Sequence, residues 1–206
     1  MRVFLLTGYS KREVNIMGQT KQKVIYTIGH SDHDKETFLE MLKQYHVEVL
    51  MDIRAFTKSR KHSQFKDDNM KSWLKEAGIE YQTDQFLGGR RQPSETVGRT
   101  LNSGWQNESF HNYADYTLTD DFKEGIKRLT ETAQNQTTAY MCSEHHPARC
   151  HRLIVSNYLA AHGWDVYHIM QNNKGDIIAQ PHKLGQWGAM PIIEDDGEVV
   201  YPKKTD

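Results

Sequence analysis

Residues 141–152, MCSEHHPARCHR, hold both cysteines of the chain in one short stretch, together with three histidines, a glutamate and two arginines. Thiolates and imidazoles are soft metal ligands, and a thiolate beside cationic groups is a nucleophile. Both chemistries need the same residue types, so spacing must discriminate between them.

As a zinc site, Cys142 would combine with His145 or His146 and with Cys150 or His151. The C-x7-C-H spacing is wider than the two to four residues of familiar zinc motifs. As a nucleophile, Cys142 would sit at a strand end, with a helix starting near Arg149 binding an anion through its positive N-terminus. The Cys142-to-Arg149 spacing is one residue longer than the C-x5-R phosphate loop of cysteine phosphatases and rhodaneses. In a third reading Cys150, His151 and Arg152 bind and orient a ligand at the helix start, while Cys142 is a small buried strand residue. A Cys142–Cys150 disulfide is a further alternative.

Other polar residues fall where strands should end. KVIYTIGHS (23–31) delivers Gly29, His30 and Ser31, and VEVLMDIR (47–54) delivers Asp52 and Arg54. The following segment, 54–66, carries Arg54, Lys58, Arg60, Lys61, Lys66 and His62 with no acid. Forked arginine donors match phosphate oxygens, so this segment reads as an anion clamp or, more blandly, a solvated loop. In LGGRR (87–91), Gly88 and Gly89 permit close backbone approach to a ligand, and Arg90 or Arg91 adds charge.

These residues need a scaffold that brings strand ends together. The β-branched run at 23–31 precedes a helical pattern in DHDKETFLEMLKQYH, then a strand at 47–54, which is the pattern of a βαβ unit. A helix at 68–78, a strand at 79–84, a helix at 120–134, a strand at 137–144, a helix at 149–163 and a strand at 164–170 continue the alternation. Residues 85–112 lack periodicity and read as a long loop. Asp196-Gly197 is a hairpin signal between MPIIE and EVVYP. The expected fold is a single α/β domain of three layers with a mainly parallel central sheet. It spans 23–184, between an extension at 1–22 (with Met17 as an alternative start) and a tail at 185–206. Ligands of such sheets bind at the carboxyl ends of the strands.

A length of 206 residues suits one domain, and 37% hydrophobic with 26% charged residues is ordinary for a water-soluble chain. The net charge of −1 argues against a wholly basic nucleic-acid-coating surface. No apolar run approaches a membrane span, and Val3–Leu6 is too short for a signal-peptide core. Two cysteines do not make a disulfide scaffold, so a cytoplasmic location is expected.

IYTIGHS, VLMDIRAFTKSRKHSQF, LKEAGIEYQTDQFLGGR, YADYTLTDDFKEGIKRL, AYMCSEHHPARCHRLIVSNYLAAHGWDVYHI and PHKL occur in this order. Together, over about residues 24–184, they resemble the family catalogued as domain of unknown function 488. The resemblance implies a cytosolic α/β domain and supplies no reaction. Its polar motif residues fall on Gly29, His30, Ser31, Asp52, Arg54, Ser59, Arg60, Gln64, Phe65, Gly88 to Arg90, Tyr113, Cys142, Glu144, Cys150, His151 and Arg152. The chain departs from the pattern at Thr57, where a proline is usual, and at His145-His146.

The resulting expectation is an enzyme-like pocket for a phosphate-bearing ligand, such as a nucleotide or a nucleic-acid end. Arg54, Arg60, Arg90 and Arg152 would hold the anion, helped by Ser31, Gly88, Gly89, Cys150 and His151. Asp52 or Glu144 would act as general base, and Cys142 or His30 as the reactive group. Two alternatives remain open. One is a non-catalytic nucleic-acid-binding module stacking bases on Phe56, Phe65 and Trp105; the other is a zinc-dependent hydrolase. The sequence names no cofactor and no oligomeric state.

Overall fold

The computed structural model describes residues 23–58 and 61–203. The extension at 1–22, Ser59 and Arg60 therefore lie outside the described residues.

Six strands form the central sheet: β1 (Val24–Gly29), β2 (Val49–Asp52), β3 (Glu80–Thr83), β4 (Thr138–Cys142), β5 (Asp165–Gln171) and β6 (Ile177–Pro181). Their spatial order is β3-β2-β4-β1-β5-β6. The first five run parallel, and β6 closes one edge antiparallel to β5. The register pairs Gly29 with Cys142 and Asp52 with Met141, so β1, β2 and β4 end level with one another.

Among the described residues, five α-helices cover the sheet: α1 (Lys35–Gln44), α2 (Asp67–Glu76), α3 (Glu108–Tyr116), α4 (Asp120–Asn135) and α5 (Arg152–Ala161). Strand alternation sorts the core into two clusters. Ala139 and Met141 of β4 pack with Leu50, Phe38 and Leu42 of α1, and Trp73 and Leu74 of α2. Tyr140 packs on the opposite side with Tyr113, Phe122, Leu129, Ile154 and Leu159, from α3, α4 and α5. The sheet is thus the middle of three layers. Side chains cap the helix starts: Asp34 accepts from the Thr37 amide, Asn107 from Phe110 and Thr119 from Phe122.

The expected α/β alternation matches these elements, with three differences. The helix expected from Arg149 starts instead at Arg152, because Pro147–Arg149 forms a 3₁₀ turn and Cys150 is extended (φ −138°, ψ 144°). Cys150 therefore lies before the helix rather than at its start. Helix α3 occupies the end of the expected 85–112 loop and continues to Tyr116. β6 is an added edge strand, half-exposed along most of its length, which removes the continuous apolar run that marks inner strands. At the tail, β7 (Ile192–Ile193) and β8 (Val199–Val200) form a hairpin whose turn holds Gly197 at φ +88°.

Candidate active site at the strand ends

Beyond the carboxyl ends of β2 and β4 lies a cavity of about 410 Å³, a size that accommodates a small molecule. β4 contributes Cys142, the turn after it Ser143 and Glu144, and the loop before α5 contributes Arg149, Cys150 and His151. Arg54, Phe56, Gly89 and Arg90 form one wall, and Asn107, Ser109, Phe110 and Tyr113, around the start of α3, form another.

Cys142 and Cys150 are joined as a disulfide at the base of this cavity, and both are buried. Their Cα atoms are 7.4 Å apart. His151 completes a compact trio: its Nδ1 lies 3.6 Å from the Cys150 Sγ, and the three donor atoms are all within 4.8 Å of one another. Its Nε2 is 3.0 Å from the Ile53 carbonyl oxygen. A carbonyl can only accept, so Nε2 carries the proton and the Nδ1 lone pair faces the sulfurs. Burial pushes the imidazole pKa down to about 4, with the Arg152 charge acting in the same direction. His151 is therefore neutral near pH 7.

Two glycines make this packing feasible. A Cβ on Gly89 would sit 2.8 Å from His151 Nδ1, so the glycine leaves that nitrogen uncovered. A Cβ on Gly29 would fall 1.8 Å from the Glu144 carbonyl oxygen, where β4 turns across the end of β1. Arg152 secures that crossing. Its Nη2 donates to the carbonyls of Glu144 and His145, both at 2.6 Å, and its Nη1 donates to Thr27 Oγ1 at 3.2 Å. Burial lowers its pKa to about 10, which still leaves it charged near neutrality. Arg152 is wholly buried and outside the cavity lining, so it shapes the turn and cannot grip a ligand there.

Asp52 and Arg54 form a second polar group. Both Asp52 oxygens accept from Arg54, at distances down to 2.5 Å, and Tyr81 donates to Asp52 at 2.6 Å. Asp52 is fully buried and engaged, which leaves it no free oxygen facing the cavity for general-base work. Arg54 reaches the cavity wall while anchored by Asp52. His30 stacks on Phe65 with centroids 4.4 Å apart, and burial together with Arg54 lowers its pKa to about 4. His30 and Ser31 are not among the lining residues; the Ser31 hydroxyl donates to Asp32. Gly88 is buried, and only Gly89 and Arg90 of the glycine-arginine motif line the cavity.

The structure thus gathers Arg54, Gly89, Arg90, Cys142, Glu144, Cys150 and His151, and leaves His30, Ser31, Asp52, Gly88 and Arg152 beside or behind the cavity. Of the wall around the start of α3, the sequence offers only Tyr113, through the family resemblance; Asn107, Ser109 and Phe110 fall in the expected 85–112 loop. The capping pattern of Asn107-Glu108 before Phe110, Tyr113 and Ala114 was the available signal for α3. Arg149 was visible in the opening stretch, but its place on the rim follows only from the 3₁₀ turn. Arg91 is a structural neighbour of Arg90. It donates to the carbonyls of Gln85, Phe86 and Gly88 and lies 3.6 Å from the Tyr116 ring centroid. Of the three aromatic residues considered for base stacking, Phe65 and Trp105 are buried and Phe56 is 69% exposed. No described helix is long and apolar enough to cross a membrane.

No curated protein and no solved structure matches the chain. One family model matches residues 34–159, a narrower span than the motifs from 24 to 184, and it includes Asp52, Arg54, the glycine-arginine motif and the whole Cys142–Arg152 stretch. The chain belongs to the family described as domain of unknown function DUF488.

Proposed function

We propose that the cavity binds a small phosphate-bearing ligand, a nucleotide or a nucleic-acid end, and that the domain acts on it as an enzyme. The carrying observation is the grouping of Arg90 and Arg149 around one cavity at the strand ends, with Arg54 fixed in its wall by Asp52 and a sulfur pair at its base. Arginines offer forked donors to phosphate oxygens, and a partly enclosed site strengthens such contacts. Glu144, exposed on the rim, is the carboxylate placed to accept or deliver a proton. Cys142 is the reactive group once the disulfide is reduced.

This assignment moves the anion-holding role from Arg152 to Arg149 and, of the two expected general bases, Asp52 and Glu144, keeps Glu144. The burial of Phe65 and Trp105 weighs against a base-stacking surface and favours a pocket. Calorimetric titration with inorganic phosphate and with ADP tests the reading. Wild type should bind at least one of them, and Arg90→Ala and Arg149→Ala should each weaken binding about 10-fold or more, the worth of a charge-assisted hydrogen bond. Absence of binding, or binding indifferent to both substitutions, would refute it.

A further inference from the structure

We infer that the reduced protein holds a zinc-type divalent ion between Cys142 Sγ, Cys150 Sγ and His151 Nδ1, with a fourth coordination position open to the cavity. The argument rests on the geometry of these three side chains. It depends on the pocket reading above only for what the open position meets.

The imidazole is set as a metal ligand would be. Its Nε2–H donates to the Ile53 carbonyl, which fixes the tautomer and aims the Nδ1 lone pair at the sulfurs. Metal-binding histidines characteristically anchor their second nitrogen in this way. The distances fit as well. Zinc–sulfur bonds of about 2.3 Å and zinc–nitrogen bonds of about 2.05 Å, at a tetrahedral angle, put sulfur and nitrogen about 3.6 Å apart. Cys150 Sγ and His151 Nδ1 are 3.6 Å apart.

The backbone frame also suits an ion between the two sulfurs. Disulfides usually join Cα atoms about 4.4–6.8 Å apart, whereas those of Cys142 and Cys150 are 7.4 Å apart. The two anchors sit on the end of β4 and in the extended residue after the 3₁₀ turn, so their spacing is set by separate elements. That separation explains why the C-x7-C-H spacing matches no hairpin-borne zinc motif.

Nothing of the protein need fill the fourth position. Gly89 contributes no side chain beside Nδ1, and the cavity opens above Cys142 and Cys150. Three protein ligands and one open position are the pattern of a metal that meets a substrate or a water molecule, not a sealed structural site. Arg54, Arg90 and Arg149 line the same cavity, so an anionic ligand would meet both the ion and the arginines.

Loading requires that the disulfide first be opened. A dithiol supplies two electrons and two protons, becoming a disulfide itself, and the protein is left with two thiols. Binding the ion then releases both thiol protons to solvent and forms two metal–sulfur bonds. Metal loading therefore requires the reduced protein, and in the loaded state Cys142 is a ligand of the ion rather than the free reactive group of the pocket reading.

The full chain, reduced with a phosphine under anaerobic conditions and freed of reductant, should be titrated with Co²⁺ and then Zn²⁺. One equivalent of Co²⁺ should produce thiolate-to-cobalt charge-transfer absorption and the intense visible bands of tetrahedral cobalt, and Zn²⁺ should abolish both. Cys142→Ser, Cys150→Ser and His151→Gln should each weaken Zn²⁺ binding at least about 10-fold. Gly89→Ala, which leaves all three ligands in place, should also weaken it. Thermal melts with and without Zn²⁺ guard against misfolded variants: the ion should raise the Tm of the reduced wild type and not of a folded Cys142→Ser chain. No cobalt spectrum, or one that persists unchanged in His151→Gln, would overturn the assignment. Arg90→Ala and Arg149→Ala should retain the cobalt spectrum. Loss of phosphate binding in them with the spectrum intact keeps the two readings separate, and phosphate binding without any cobalt spectrum sinks the metal centre alone.

Discussion

Asp52 holds Arg54 through both carboxylate oxygens, and the pair is buried at the end of β2 with 0% and 4% exposure. The contact turns a strand-end arginine into a fixed part of the cavity wall, since the guanidinium is not free to follow a ligand. It also means that the charge on Asp52 is consumed structurally.

Removing Asp52 leaves a buried guanidinium without its counter-charge. Asp52→Ala should therefore cost about 3–5 kcal/mol of folding stability. Urea unfolding measures it through the midpoint at constant m-value. A loss below about 1 kcal/mol would show that Arg54 escapes to solvent, and the rigid-wall account would then fail.

Gly29 is required by a close approach rather than by its backbone conformation. Its missing Cβ would meet the Glu144 carbonyl at 1.8 Å, in the same place where Arg152 clamps that carbonyl. Gly29→Ala should destabilise by more than about 2 kcal/mol, because backbone on both sides must move. Gly98 has nothing within 4 Å of its own missing Cβ. Gly98→Ala should stay within about 0.5 kcal/mol of wild type, making it the matched control.

The contrast between these glycines bears on how far the sequence could be read. Strand–helix alternation was legible because β1, β2, β4 and β5 are apolar runs buried in a parallel sheet, where period and burial agree. The convergence of Cys142, Glu144, Arg54 and Arg90 was legible for a related reason: parallel strands place their ends on one side. The roles were not legible. Arg152 and Asp52 have the residue types of a binding site, yet their hydrogen bonds go to Thr27, Glu144 and His145, and to Arg54 and Tyr81. Whether an arginine faces ligand or backbone depends on a turn. Here the 3₁₀ turn at Pro147–Arg149 sends Arg149 outward and leaves Arg152 in the core.

Acid should loosen the fold through its buried histidines: His30 and His151 at the strand ends, and a second pair, His168 and His182. His168 Nε2 lies 3.0 Å from His182 Nδ1, and His182 Nε2 is 2.9 Å from Asn157 Oδ1. Burial lowers the pKa of His168 to about 2, with Arg152, His182 and His146 adding repulsion, and burial lowers that of His182 to about 4. In the unfolded chain both titrate near 6.5, so below that pH the unfolded state binds more protons than the folded one. Stability is then complete above about pH 7 and falls as pH drops towards 4, by up to about 1.4 kcal/mol per pH unit for each histidine. Thermal melts from pH 7.5 to pH 5 should show a steadily declining Tm. A Tm unchanged over that interval would mean that these histidines are protonated, or accessible to water, in the folded state.

Adjacent arginines in the glycine-arginine loop should separate stability from binding. Arg91 is spent on the loop itself: it bonds three carbonyls and stacks on Tyr116. Arg91→Ala removes bonds from a charged donor and a cation–π contact, so it should cost about 1–3 kcal/mol. Arg90 is exposed, lies 5.3 Å from the Phe56 ring centroid, and has a positive φ of 62° that alanine must also adopt. Arg90→Ala should therefore leave stability within about 0.5 kcal/mol while weakening phosphate binding. Denaturant unfolding and phosphate titration of both variants read the two effects side by side. If Arg91→Ala impaired binding more than Arg90→Ala at equal stability, the assignment of Arg90 to the ligand would be reversed, because the loop would then present the other guanidinium to the cavity.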